Sequence, residues 1–145
     1  MPKALWNERT TLKFYLPPNK DHVSHSIVNY QNDYSTDTDF VEVESTTVLE
    51  LLDGVKTPLA LMKLDIEGAE IEVISHMLES KVYPTQLLVE FDEMNHPSAK
   101  GKSRIENAYQ LLIKHGYELV YFDGYANFCF VLGSFLKDHE GSLAE

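Results

Sequence analysis

The sequence predicts an α/β domain with a mixed, largely parallel sheet, and three observations predict it. Two strand-length runs, 59–64 and 86–91, are almost continuously apolar, as strands covered on both faces are. Between them, Ile71, Ile74 and Leu78 recur at helical spacing, which makes strand, helix, strand, with a right-handed crossover expected. A third run, 128–132, is apolar at every position and joined to 117–122 by a short loop. A strand of that kind belongs inside a sheet, so it is expected to insert between 86–91 and 117–122, antiparallel to both.

The remaining elements follow in order. Residues 11–16 are rich in strand formers and stop at Pro17 and Pro18, as an edge strand would. The stretch 19–39 is polar, a loop composition anchored by Ile27, Val28, Tyr30 and Tyr34. Alternating apolar and acidic residues over 40–44 predict a strand with one wet face. A helix follows, capped by Ser45, Thr46 or Thr47, with Val48, Leu51, Leu52 and Val55 on its buried face and an exit at Asp53 and Gly54. After the strand 59–64 the period changes at Gly68, and a helix is expected from about 69 to 80. Residues 92–102 read as a polar loop, and Ser103 as the cap of a helix buried through Ile105, Ala108, Tyr109, Leu112 and Ile113. The tail 137–145 is expected to fray, leaving 1–136 as one domain.

Composition narrows function. The 145 residues carry a formal charge of −11 and no basic stripe, which argues against a phosphate-tracking surface and hence against nucleic acid. The single Cys129 lies in an apolar run, where a buried structural thiol is expected and no disulfide can form within the chain. No apolar run approaches membrane-spanning length and the start lacks a signal-peptide core, so a cytoplasmic protein is expected with no membrane partner. His22 and His25 stand three apart without a third ligand, so no metal site is assigned.

Chemistry should sit at the carboxyl ends of the parallel strands, the edge where open α/β sheets bind ligands. Asp65, Glu67 and Glu70 lie there after the first strand, and Glu90, Asp92 and Glu93 after the second. Carboxylates in a first helical turn also interact favourably with the helix dipole, and Asp65 can equally cap the helix, so spacing alone leaves structure and function both open. Crowded like charges need an offset: a cation, a substrate hydroxyl network or a raised carboxyl pKa. A cation there would be Mg²⁺ or Ca²⁺. His96, on the loop after the second strand, can accept a proton from a substrate hydroxyl. His76, His115 and His139 read as structural or solvated.

The run Met62, Lys63, Leu64, Asp65, Ile66, Glu67, Gly68, Ala69, Glu70, followed by an apolar helix and then Leu87, Leu88, Val89, Glu90, resembles the signature of FkbM-type methyltransferases. The order and spacing of elements over 12–132 are similar to the carboxyl-terminal half of that family's domain. The resemblance implies a class I methyltransferase-like, Rossmann-like mixed sheet with an antiparallel last strand, S-adenosylmethionine as cofactor, and O-methylation of a hydroxyl-bearing small molecule or sugar. In that chemistry Asp65 and His96 are the candidate proton acceptors, and Glu67, Glu70 and Glu90 bind acceptor hydroxyls or support the turn. The family holds its donor through a Gly-rich turn after strand one and an acid ending strand two. This sequence has no Gly-x-Gly pair, so its cofactor-binding residues are unassigned, and its sheet is expected to be incomplete, with the first strands absent and the chain alone inactive. The alternative is a fragment or degenerate relative, a non-catalytic interaction domain that binds a partner or a copy of itself through the exposed edge of strand 59–64.

Overall fold

The computed structural model describes residues 2–19, 21, 24–35 and 37–139. The described residues form two sheets. The larger is built from β4 (Leu61–Leu64), β5 (Gln86–Glu90), β6 (Tyr117–Phe122) and β7 (Asn127–Leu132), in the order β4-β5-β7-β6. β4 and β5 are parallel, with Leu64 opposite Val89, and β7 runs antiparallel to both neighbours, with Leu87 opposite Phe130 and Phe122 opposite Phe128. The run 128–132, apolar at every position, therefore lies inside the sheet between β5 and β6, as expected.

Two helices, α2 (Glu70–Glu79) and α3 (Ala99–Lys114), pack against each other over one face of this sheet. Val73, Ile74, Met77 and Leu78 from α2, with Ala108 and Leu112 from α3, close a core with Leu64, Leu87, Val89 and Phe130. The other face of β4 is not covered as the apolar run suggested. Leu61 is 52% exposed, because α2 takes only the side that carries Met62 and Leu64.

The smaller sheet holds β1 (Ala4–Leu5), β2 (Thr11–Tyr15) and β3 (Phe40–Thr46), in the order β1-β3-β2. β2 is the edge strand expected from its sequence, antiparallel to β3 with Phe14 opposite Val41. After β3, Thr47 caps α1 (Val48–Leu51) through a reciprocal box with Glu50. The helix, expected to run to an exit at Asp53 and Gly54, is only this one turn. Val48 is buried, but Leu51 and Val55 lie in solvent, and a helical face without an opposing surface gains little from continuing.

The other correction is at the start of α3. Its cap is Ser98, whose Oγ accepts the Gly101 amide at 2.9 Å, so the helix begins four residues before Ser103. Gly101 and two lysines in the first turn mask the start, since these residues oppose helix propensity and dipole. At the far end of the same helix, Ile113, expected on its buried face, is 38% exposed. After β7 comes α4 (Gly133–His139), so residues 137–139 of the expected tail are helical and 140–145 lie outside the described residues.

Candidate functional site

The apolar strand β4 delivers the chain to the core at Leu64, and the chain must then reverse into α2. The reversal uses two consecutive left-handed residues, Glu67 at φ 58° and Gly68 at φ 96°. Such a turn exposes backbone amides, and Glu70 satisfies them: its carboxylate accepts Ile66 N at 2.7 Å and Gly68 N at 3.0 Å. Glu70 is buried, and burial raises its carboxyl to about 7 against the pull of the Ile66 amide and its own, with Asp92 and Glu93 adding to the rise. It lies beneath the turn and holds it.

The polar loop before β3 clasps the turn from outside. Ser26 Oγ donates to the Glu67 carbonyl at 2.7 Å, Ile27 N donates to the same oxygen at 3.2 Å, and the Val28 side chain lies over Gly68. The clasp leaves the Glu67 carboxyl facing outward. Partial burial raises its pKa against a hydrogen bond from Ser24, and Asp92, Asp65 and Glu90 all add to the rise. The structure thus brings Asp65, Glu90 and Asp92 each within electrostatic reach of Glu67. Asp65 itself is half-exposed and bound to Lys63 Nζ at 2.7 Å. That pairing and the field of Glu90 raise the lysine.

A second constellation forms around β5. A 3-10 turn, Asp92–Met94, follows the strand and buries Asp92, which accepts Tyr30 OH at 2.8 Å and Asn95 Nδ2 at 3.2 Å. Burial holds the Tyr30 phenol well above its ordinary value, so it donates to Asp92 as a neutral group. The His96 ring lies on the Tyr30 ring, centroids 4.1 Å apart and tilted by 31°. Tyr30 comes from the polar loop, 62 residues from Asp92, and the sequence offered only an aromatic anchor in a loop as its signal. Arg104 of α3 joins the neighbourhood by bridging Glu93 at 3.1 Å and Glu72 at 3.0 Å.

Two cavities flank the turn. On the Gly68 side, one of about 120 Å³ is lined by Tyr30, Tyr34, Asp92, His96 and Arg104 among others. On the Glu67 side, one of about 500 Å³ lies against the small sheet, with Leu5, Phe14, Val41, Val43 and Ile66 as walls and His25 and Glu67 at its edge. His96 and Glu67 thus face different cavities, while Asp65 and Glu90 line neither. Among the described residues no three of His, Cys, Asp and Glu are grouped to hold a metal ion, and His22 lies outside the described residues. No described helix is long and apolar enough to cross a membrane.

The arrangement can accept a proton at His96 and hold hydroxyls at the outward carboxylates. A sulfonium nucleoside donor fits it only in part. The apolar cavity suits a flat adenine-sized ring, but no described turn carries the paired glycines whose amides would cradle the donor's carboxylate. In comparisons with known proteins, the family model described as Methyltransferase FkbM domain matches residues 3–119. No curated protein and no solved structure matches the chain.

Proposed function

The chain belongs to the FkbM methyltransferase domain family, and from that premise we propose that it forms the acceptor side of an S-adenosylmethionine-dependent O-methyltransferase. The donor supplies an electrophilic methyl group. What this chain's residues contribute is on the acceptor side. His96, held against Tyr30, takes the proton of the acceptor hydroxyl, with Asp65 as the alternative acceptor, and Glu67 and Glu90, which lie outside the His96 cavity, bind hydroxyls of the acceptor that project beyond it. Glu70 supports the turn from below. The observation that carries this reading is the convergence of Tyr30, Asp92 and His96 on one cavity at the carboxyl edge of β5, beside the acidic turn.

The donor side needs a strand along the open edge of β4, which no described residue occupies. Together with the absent glycine pair, that open edge favours a second reading: an interaction domain that captures a strand there and does no chemistry of its own. Methyl-labelled donor, offered with a panel of polyols and glycosides, separates the two. Label transferred to an acceptor, and falling by roughly 10²–10⁴-fold in His96→Asn, supports the enzyme. Transfer unaffected by His96→Asn removes His96 from the chemistry, and no transfer with any acceptor at millimolar donor, a concentration that fills even a weak donor site, leaves the interaction reading.

A further inference from the structure

Edge strands in this molecule are not treated alike. β2 carries Lys13 and β4 carries Lys63, and a lysine on an edge discourages pairing with another chain. β6 is also an edge strand, paired only with β7 among the described residues, and it carries no basic residue. Its single charge is Glu118. Leu119, Val120, Tyr121 and Phe122 follow, 37%, 48%, 61% and 41% exposed, and Tyr125 of the loop beyond is 59% exposed. Asp123 at the end of the strand is turned inward to its own loop, accepting Tyr125 N at 2.8 Å and Asn127 Nδ2 at 2.7 Å. An open backbone edge and an uncharged apolar run thus coincide on a chain whose formal charge is −11.

We propose that β6 is a homodimer interface, in which two copies join antiparallel through this edge into one eight-stranded sheet. The occupant follows from the charge pattern. A two-fold axis at Val120, the residue that the bulge leaves without a counterpart in β7, sets Leu119 opposite Tyr121 of the second copy and Glu118 opposite its Phe122. No charge then meets its like: Leu119 and Val120 meet Tyr121 and Val120 of the second copy, and Glu118, at the end of the paired run, faces an aromatic ring instead of a second carboxylate. A partner recruited by the acidic surface would need basic residues, and this edge has nothing for them beyond Glu118. The interface lies at the opposite edge of the sheet from β4, so it leaves the acidic turn and its cavities free.

Light scattering on the purified 145-residue chain, coupled to size exclusion, tests this. The expected mass is twice the 16.6 kDa of one chain. Val120→Lys and Tyr121→Lys should each give a monomer, while Leu61→Lys on the β4 edge should leave the dimer intact. Tyr121 is the more exposed of the two β6 positions, so it carries the test if Val120→Lys fails to fold. A monomeric parent overturns the proposal. So does a dimer that survives both β6 substitutions, or one dissolved by Leu61→Lys.

Discussion

Glu70 and Gly68 are bonded across the turn that ends β4: one oxygen of the buried carboxylate accepts the Gly68 amide at 3.0 Å, and the other accepts Ile66 N at 2.7 Å. The acid two residues into the helix therefore determines the shape of the loop before it. Asp65 and Glu67 point where they do because Glu70 anchors the backbone that carries them.

That bond has a pH signature. Glu70 is raised from 4.5 to about 7 in the folded chain, so between those values the folded state holds a proton that the unfolded state has released. Stability should fall as pH rises from about 4.5 to about 7, by roughly 1–3 kcal/mol, with Glu67 and Glu93, also raised by burial, acting in the same direction. Glu50 and Asp123 are lowered by their hydrogen bonds and act oppositely, losing stability only on the acid side. Urea midpoints should thus be higher near pH 5 than near pH 8. Glu70→Gln should flatten that slope and cost about 1–3 kcal/mol, because its amide nitrogen would face a backbone N–H. A parent midpoint that does not move between the two pH values would mean that Glu70 stays ionised throughout.

Gly68→Val should destabilise through two separable effects. At φ 96° a β-branched residue resists the conformation, at roughly 1–3 kcal/mol, and its Cβ would stand 3.1 Å from the Val28 Cγ2 atom that clasps the turn. Gly54, at φ 78° with open space around it, supplies the control: Gly54→Val carries the backbone cost alone. Equal urea midpoints for the two variants would show that the clasp adds nothing.

Tyr30 is expected to act in two ways. Tyr30→Phe removes the hydroxyl from Asp92 and leaves a buried carboxylate with Asn95 as its remaining side-chain partner, costing about 1–3 kcal/mol. It keeps the ring against His96, whereas Tyr30→Leu removes that too. The His96 ring protons, followed by NMR, should keep their ring-current shift in the Phe variant and lose it in the Leu variant. A shift unchanged in both would separate His96 from Tyr30 in solution.

S-adenosylmethionine should bind the 145-residue chain more weakly than micromolar, because no described turn offers paired glycine amides for its carboxylate. Isothermal titration reads this directly. Micromolar binding would mean that the apolar cavity beside Glu67 holds the donor by other contacts.

Ser98→Ala should cost about 1 kcal/mol, since Ser98 Oγ is the acceptor for Gly101 N at the start of α3. Ser103→Ala should leave thermal unfolding unchanged, because Ser103 is an exposed residue inside the helix. The reverse ranking would restore the later helix start that the sequence suggests.

What the sequence by itself determined is the order and direction of the larger sheet. The apolar runs of β4, β5 and β7 and the change of period at Gly68 are local signals, and the rule that an apolar strand seeks the sheet interior turns them into β4-β5-β7-β6. The acidic edge was legible for the same reason, since it lies at the ends of those strands. Only the tertiary structure decided the start of α3, which Ser98 caps, and the length of α1, because a helix extends where its apolar face finds a surface. Val48 finds one and Leu51 does not. It also decided which acids face outward. Glu67 and Glu70 are three residues apart in one motif, yet the left-handed turn sends one toward a cavity and the other beneath the backbone. The Tyr30 hydroxyl on Asp92 was beyond any periodic signal: it joins residues 62 apart, and a contact at that distance in sequence exists only once the loop before β3 has folded across the end of β5.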